Sequence, residues 1–152
     1  MANYVRNVLV FNGEEKNVED VCNFLCSDAQ AVDLDKILPT PVFTYPSEAI
    51  YWQRNSWGST NALDCIRNTK NILSFSTEYS SPFKAINLLA RKFPDVEISL
   101  WWAAEEKCVN EGMVKWADGK IVDDIIPFSD SKASDDIYYY CWNSLRIKEE
   151  YA

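Results

Sequence analysis

Hydrophobic and polar positions fall into short runs whose period switches between that of a strand and that of a helix. Tyr4 to Phe11 is apolar and rich in β-branched side chains, and Gly13 closes it, which predicts a strand. Asn17 then reads as a helix N-cap, with Glu19 and Asp20 in the first turn, where the helix dipole favours acids. Val18, Val21, Cys22 and Leu25 follow at helical spacing and predict one buried face. From Ala31 to Asn71 the period is lost. Pro39, Pro41 and Pro46 push the residues before them towards extended conformations. The stretch from Pro46 to Asn71, with Tyr51, Trp52 and Trp57, is long for a plain loop and reads as an inserted helix, a hairpin or a functional segment.

Periodicity then returns. Ile72 to Tyr79 alternates, with Leu73, Phe75, Thr77 and Tyr79 on one face and Ser74, Ser76 and Glu78 on the other. Ser81 reads as a helix cap with Pro82 in the first position; Phe83, Ile86, Ala90 and Phe93 form the buried stripe, and Pro94 ends it. Val96 to Ala104 is a second alternating strand, which sends Trp102 to the core with Val96, Ile98 and Leu100 and sends Trp101 to the opposite face. Asp118-Gly119, between Met113–Trp116 and Ile121–Val122, is the signal for a tight hairpin. Ser134 reads as the cap of a last helix carrying Ile137, Tyr138, Cys141, Trp142 and Leu145 on one side, with fraying expected from Lys148 to Ala152. The expected architecture is one α+β domain over residues 1–152. It is a ferredoxin-like sandwich with a mainly antiparallel sheet, helices on one face, an irregular insert near residues 39–71 and a C-terminal helix.

Composition narrows the function classes. The 15 basic and 23 acidic side chains give a net charge of −8, which repels phosphate backbones and attracts basic surfaces. Aromatic residues make up 14% of the chain, an excess that has to pack or bind. The first residues, Met1 to Arg6, form no secretion signal, and no run is long and apolar enough to span a membrane. Five cysteines without a CxxC pair read as reduced thiols in a cytoplasm. Cys22 and Cys26, four apart on a helix, are the one candidate metal half-site, and buried apolar cysteine is the default reading.

Several segments resemble one family in their order and spacing. These are Asn3-Tyr4-Val5-Arg6-Asn7, Pro39-Thr40-Pro41, Trp57-Gly58-Ser59-Thr60-Asn61-Ala62, Phe75 through Pro82, and Phe93-Pro94-Asp95. They resemble the ferredoxin-like domain of Api92-like and YubB-like proteins of bacteriophages and conjugative plasmids, over residues 3–116. In that family the tryptophan-glycine segment usually continues with a lysine and a second tryptophan, whereas Ser59-Thr60 here leads directly to Asn61, one residue shorter. The resemblance implies an accessory protein of a mobile element. It brings no catalytic residues with it.

Candidate chemistry follows from these features. With no histidine, the commonest general base is absent. The pairs Glu105-Glu106 and Asp123-Asp124, if on strands, point to opposite faces and make poor cation sites. Four glycines leave no phosphate-cradling loop. No catalytic residue, cofactor or metal is therefore expected. The leading reading is binding of a basic host protein or ribonucleoprotein, such as a defence component, with inhibition as the result. Trp101, Asp135, Asp136, Tyr139 and Tyr140 are the candidate contacts, and homodimerisation through the same aromatics is a variant. A second reading is a nucleotide pocket at the insert, using Trp52, Arg54, Trp57 and Asn61, with phosphates held if Arg6, Arg54, Arg67 or Lys70 converge. A third is single-stranded nucleic acid stacked on the sheet at Trp101, which Tyr4 and Arg6 would share; its alternative is a sheet covered by the insert, the hairpin or the last helix. General nucleic-acid binding is disfavoured by the charge.

Overall fold

In the first strand, β1 (Tyr4–Asn12), alternation sends Leu9 and Phe11 to one side of the sheet and Arg6 and Val8 to the other, and this split organises the whole molecule. The computed structural model describes residues 3–145. After β1 come α1 (Glu15–Leu25), a single 3-10 turn (Leu34–Lys36), α2 (Pro46–Trp57), β2 (Leu63–Thr69) and β3 (Ile72–Glu78). They are followed by α3 (Phe83–Lys92), β4 (Glu97–Ala104), β5 (Glu111–Ala117), β6 (Lys120–Ile125) and α4 (Lys132–Asn143). The sheet order is β2-β3-β1-β4-β5-β6, with every neighbouring pair antiparallel. Since β1 and β2 both run antiparallel to β3, they are parallel to each other with β3 between them. The same holds for β3 and β4 around β1, so two βαβ units interleave.

One face of this sheet carries the main core. Leu9, Phe11, Leu73, Phe75, Ile98, Leu100 and Trp116 meet Val18, Val21 and Leu25 of α1 and Ala85, Ile86, Leu89 and Ala90 of α3. Burying each of the larger aliphatic or aromatic side chains contributes about 1.5–3 kcal/mol, so this layer supplies most of the driving force for folding. On the opposite face α4 lies across the sheet, where Ile137 and Cys141 pack on Val8 and Ala103. The two tryptophans separate as alternation requires: Trp102 joins the main core and Trp101 the α4 layer.

The insert is ordered. Trp57 is fully buried and donates its indole N–H to the Leu38 carbonyl at 2.9 Å. The Asn61 side chain accepts from the Leu34 and Ala62 N–H groups and donates to Asp33, tying the 3-10 turn to the strand that follows. Gly58 adopts φ +93° at the end of α2, where an added Cβ would lie 3.2 Å from the Ser81 carbonyl oxygen, and the Ser80 hydroxyl donates to the Gly58 carbonyl. The Trp57–Ala62 and Ser80–Pro82 segments thus hold each other in place.

Three predicted caps are corrected. Helix α1 begins at Glu15, ahead of Asn17, and its N-cap Glu14 makes no side-chain cap bond. The Ser81 hydroxyl is used elsewhere, donating to the buried Asn7 at 2.8 Å, and Pro82 takes the cap position of α3. Ser131, not Ser134, caps α4, and the Ser134 N–H donates to its hydroxyl at 3.1 Å. The Asp118-Gly119 hairpin is as predicted, with φ +52° and +74°. The unperiodic insert proves to contain α2 and the edge strand β2. The expected fraying of Lys148 to Ala152 lies outside the described residues.

Candidate functional site

Beneath α4 the sheet is polar on its β2-β3-β1 side. Arg6 is fully buried there, and its guanidinium donates to Ser74 Oγ (2.8 Å), Ser76 Oγ (3.1 Å), the Asp64 carbonyl (2.8 Å) and Ser144 Oγ (3.0 Å). Among the described residues no carboxylate makes an ion pair with it. Burial lowers its pKa to about 10, against the opposing pull of Asp64. Ser144 caps the C-terminus of α4, so the negative end of the helix dipole faces this cation. The group is enclosed, and it locks α4 onto the sheet.

The α4 layer decides the fate of the predicted partner contacts. Trp101 is half-buried, its ring set edge-on to Tyr140 with centroids 5.5 Å apart. With Val8, Ala103, Ile137 and Cys141 filling the layer around it, Trp101 lies under α4 and not on an open sheet face. Asp135 pairs with Lys107 at 2.8 Å, and Lys107 also sits over the Tyr139 ring, 5.0 Å from its centroid. Asp136 pairs with Lys132 at 2.8 Å. The structure thus brings Trp101 and Tyr140 together, and Asp135 and Tyr139 together through Lys107. Each acid already has a lysine, which reduces its pull on an outside basic group.

The predicted pocket residues are not gathered into one cavity. Trp57 and Asn61 are committed to the interior bonds described above. Arg54 stacks on Tyr79, 5.2 Å from the ring centroid. Trp52 makes an edge contact with Trp57 at 5.8 Å and lines an open groove of about 480 Å³ with Phe43, Ser47, Glu48, Tyr51 and Asn55. Of the four cations expected to converge, Arg6 is enclosed, Arg54 is stacked, and only Arg67 and Lys70 share a cleft. That cleft, about 590 Å³, also includes Asn12, Gly13, Val18 and Asn71, with Glu15 and Glu19 at its side. Arg67 Nε is buried there without a hydrogen-bond partner, and Lys70 pairs with Glu15 at 3.4 Å.

Two features were missed from the sequence. Glu111 is buried, accepting from the Cys108 N–H at 2.7 Å and from the Ser134 hydroxyl, while Cys108 Sγ lies 3.4 Å from Asp130 Oδ1. This cluster closes the β4–β5 loop against the start of α4. Glu105 and Glu106 lie in the same loop, past the end of β4, and not on a strand as supposed; Glu105 accepts from the Tyr4 N–H at 2.7 Å. The second is the outer surface of the insert. Val42, Tyr45, Ile50 and Tyr51 are 101, 64, 41 and 73% exposed, on a segment whose helix contributes a single buried residue, Trp57. The excess of aromatics was a signal for it, but without a period in this region nothing assigned them a face.

Among the described residues no group of histidine, cysteine, aspartate or glutamate could hold a metal ion. Cys22 is buried, whereas Cys26 is exposed with its thiol directed at the Asn23 carbonyl, so the pair shares no site. No helix among these residues is long and apolar enough to cross a membrane.

Two interleaved βαβ units in one antiparallel sheet, extended by a hairpin and backed by a helix, define a ferredoxin-like α+β domain. A family model described as the ferredoxin-like domain in Api92-like protein matches residues 48–140, from α2 into α4. The match covers more than half of the chain, which belongs to this family. No curated protein and no solved structure matches it.

Proposed function

We propose that this is a non-enzymatic accessory protein of a bacteriophage or other mobile element, which acts in the bacterial cytoplasm by binding, and so inhibiting, a host protein with a basic surface. The observation that carries the reading is the exposed segment 42–51. Ile50 and Tyr51 on α2, and Val42 and Tyr45 just before it, stand in water and none of them serves the core, and exposed tyrosines of this kind anchor protein interfaces. A net charge of −8 favours encounter with basic partners and disfavours other acidic proteins. Copurification from host lysate at low salt tests it, comparing the protein with a Tyr45→Ser/Tyr51→Ser variant. A partner held by the parent and lost by the variant, with unchanged circular dichroism, is expected. No partner, or equal recovery by both, counts against the reading.

The cleft that joins Arg67 and Lys70 favours a second reading, in which a small phosphorylated ligand such as a nucleotide is bound. Ligand binding to the native state raises its melting temperature, so a thermal-shift panel of nucleotides distinguishes the two. A shift abolished by Arg67→Gln supports the ligand reading, and a flat panel removes it.

A further inference from the structure

Strand β6 ends the sheet, and every one of its residues is exposed. Its apolar side chains continue past the strand: Ile121, Val122, Ile125, Ile126 and Phe128 are all exposed. A free edge of this kind presents a row of unpaired backbone groups, which proteins ordinarily protect with charge, bulges or a cover. Here the protection is partial. The register against β5 slips once, placing Val122 as an extra residue between the Lys115↔Asp123 and Trp116↔Ile121 pairs. Asp123 and Asp124 occupy the edge, and neither makes an ion pair among the described residues. The Asp124 N–H donates to the Asp123 carboxylate at 2.9 Å, so a side chain holds this donor.

We infer that β6 is a docking edge for an extended, lysine- or arginine-bearing segment of a partner protein, which adds to the sheet as a seventh strand. The inference rests on the protein-binding reading and supplies its geometry at a second surface, separate from the insert. Charge chooses the occupant. Asp123 lies opposite Lys115 and Asp124 opposite Val114, so the two carboxylates leave opposite faces of the sheet and flank an added strand on both sides. A second copy of this chain would set its own aspartates and its charge of −8 against them, whereas a segment alternating cationic and apolar residues sets its cationic face against one aspartate and its apolar face over the isoleucine on the other side, Asp123 with Ile121 or Asp124 with Ile125. Main-chain hydrogen bonds supply the attachment, and displacing Asp123 from the Asp124 N–H frees the first of them.

The test uses a blocked synthetic peptide of alternating lysine and valine. Its controls are a peptide of alternating glutamate and valine and one in which glycine and proline replace the valines at the same charge. In an NMR titration of the full chain, the lysine–valine peptide should shift β6 and slow amide exchange at Asp124, with neither control doing so. Asp123→Asn/Asp124→Asn should weaken binding by at least about fivefold. Asp124→Pro, which removes this N–H, should abolish the peptide-induced shifts of β6. If that variant does not fold, Asp123→Lys/Asp124→Lys replaces it and should reject the peptide. Binding of the glycine–proline peptide as tightly as the lysine–valine one overturns the inference, since it reveals charge attraction alone. Protection of β6 that rises with protein concentration in the absence of peptide also overturns it, because the edge then belongs to a second copy. Tyr45→Ser/Tyr51→Ser should leave peptide binding intact. If the β6 variants still capture a host partner through the tyrosines, this inference fails while the protein-binding reading stands.

Discussion

Replacing Arg6 by alanine removes the donor from three oxygens beneath α4: Ser74 Oγ, Ser76 Oγ and the Asp64 carbonyl. It also cuts the link from β1 to Ser144 at the end of α4. A buried acceptor left without a partner costs about 1–3 kcal/mol, although the two serines can in part bond each other. Against this stands the desolvation penalty that the parent already carries for a buried guanidinium with no ion-paired carboxylate among the described residues. With the vacated volume included, the net loss should be about 3–5 kcal/mol. For a chain of this size that corresponds to a fall in Tm of about 6–20 °C. Urea unfolding followed by tryptophan fluorescence measures it directly. Arg6→Lys, which keeps a donor but cannot span the fork of acceptors, should lie closest to the parent, and Arg6→Met, which keeps much of the volume but leaves the same acceptors unpartnered, should fall between lysine and alanine. An alanine variant within about 1 kcal/mol of the parent, or a methionine variant as stable as the parent, refutes the view that Arg6 locks α4 to the sheet through its hydrogen bonds.

Gly112→Ala places a Cβ into the Trp102 ring, so it should cost about 1–3 kcal/mol and alter the near-ultraviolet circular dichroism of that tryptophan. Ser131→Ala removes the hydroxyl that accepts from Ser134 N–H and should lower stability by about 1 kcal/mol in urea titrations. Burial raises the thiol pKa values of Cys22, Cys65 and Cys141 above 9.0, so the unfolded chain loses these protons first as pH rises. Their contribution is complete below pH 9.0 and lost above it, so stability should decline from there, with a shallower decline in Cys141→Ala. Arg6 works in the opposite sense, since its lowered pKa makes the unfolded state the stronger proton binder above about 10. In native protein at mildly alkaline pH, Cys26 should be alkylated first and Cys141 last.

The main core was legible because its elements obey a single period. β1, β3, α3 and β4 were each fixed by which residues recur on one face, and the Asp118-Gly119 turn by its need for positive φ. The insert was not legible for two physical reasons. Helix α2 buries only Trp57, so it has no stripe to detect, and β2 is a half-exposed edge strand whose register against β3 shifts twice. The caps were misjudged because serine and asparagine side chains have competing uses. The Ser81 hydroxyl serves Asn7, and that of Ser134 serves Glu111. Alternation did place Trp101 opposite Trp102, but what covers Trp101 depends on where α4 lies, which no local pattern encodes. Arg6 carried a readable signal that went unused, a lone cation inside the apolar run from Val5 to Phe11. Family-motif residues such as Trp57, Gly58 and Asn61 proved to be the bonds that order the insert.

The proposed role depends on the outer face of the insert meeting another protein, and site-specific photocrosslinking in host cells tests this most directly. A benzophenone-bearing residue in place of Tyr51 should yield one prominent adduct with a basic host protein, while the same residue in place of Lys16 should not. Equal, diffuse labelling from both positions, or no adduct at position 51, would contradict the account.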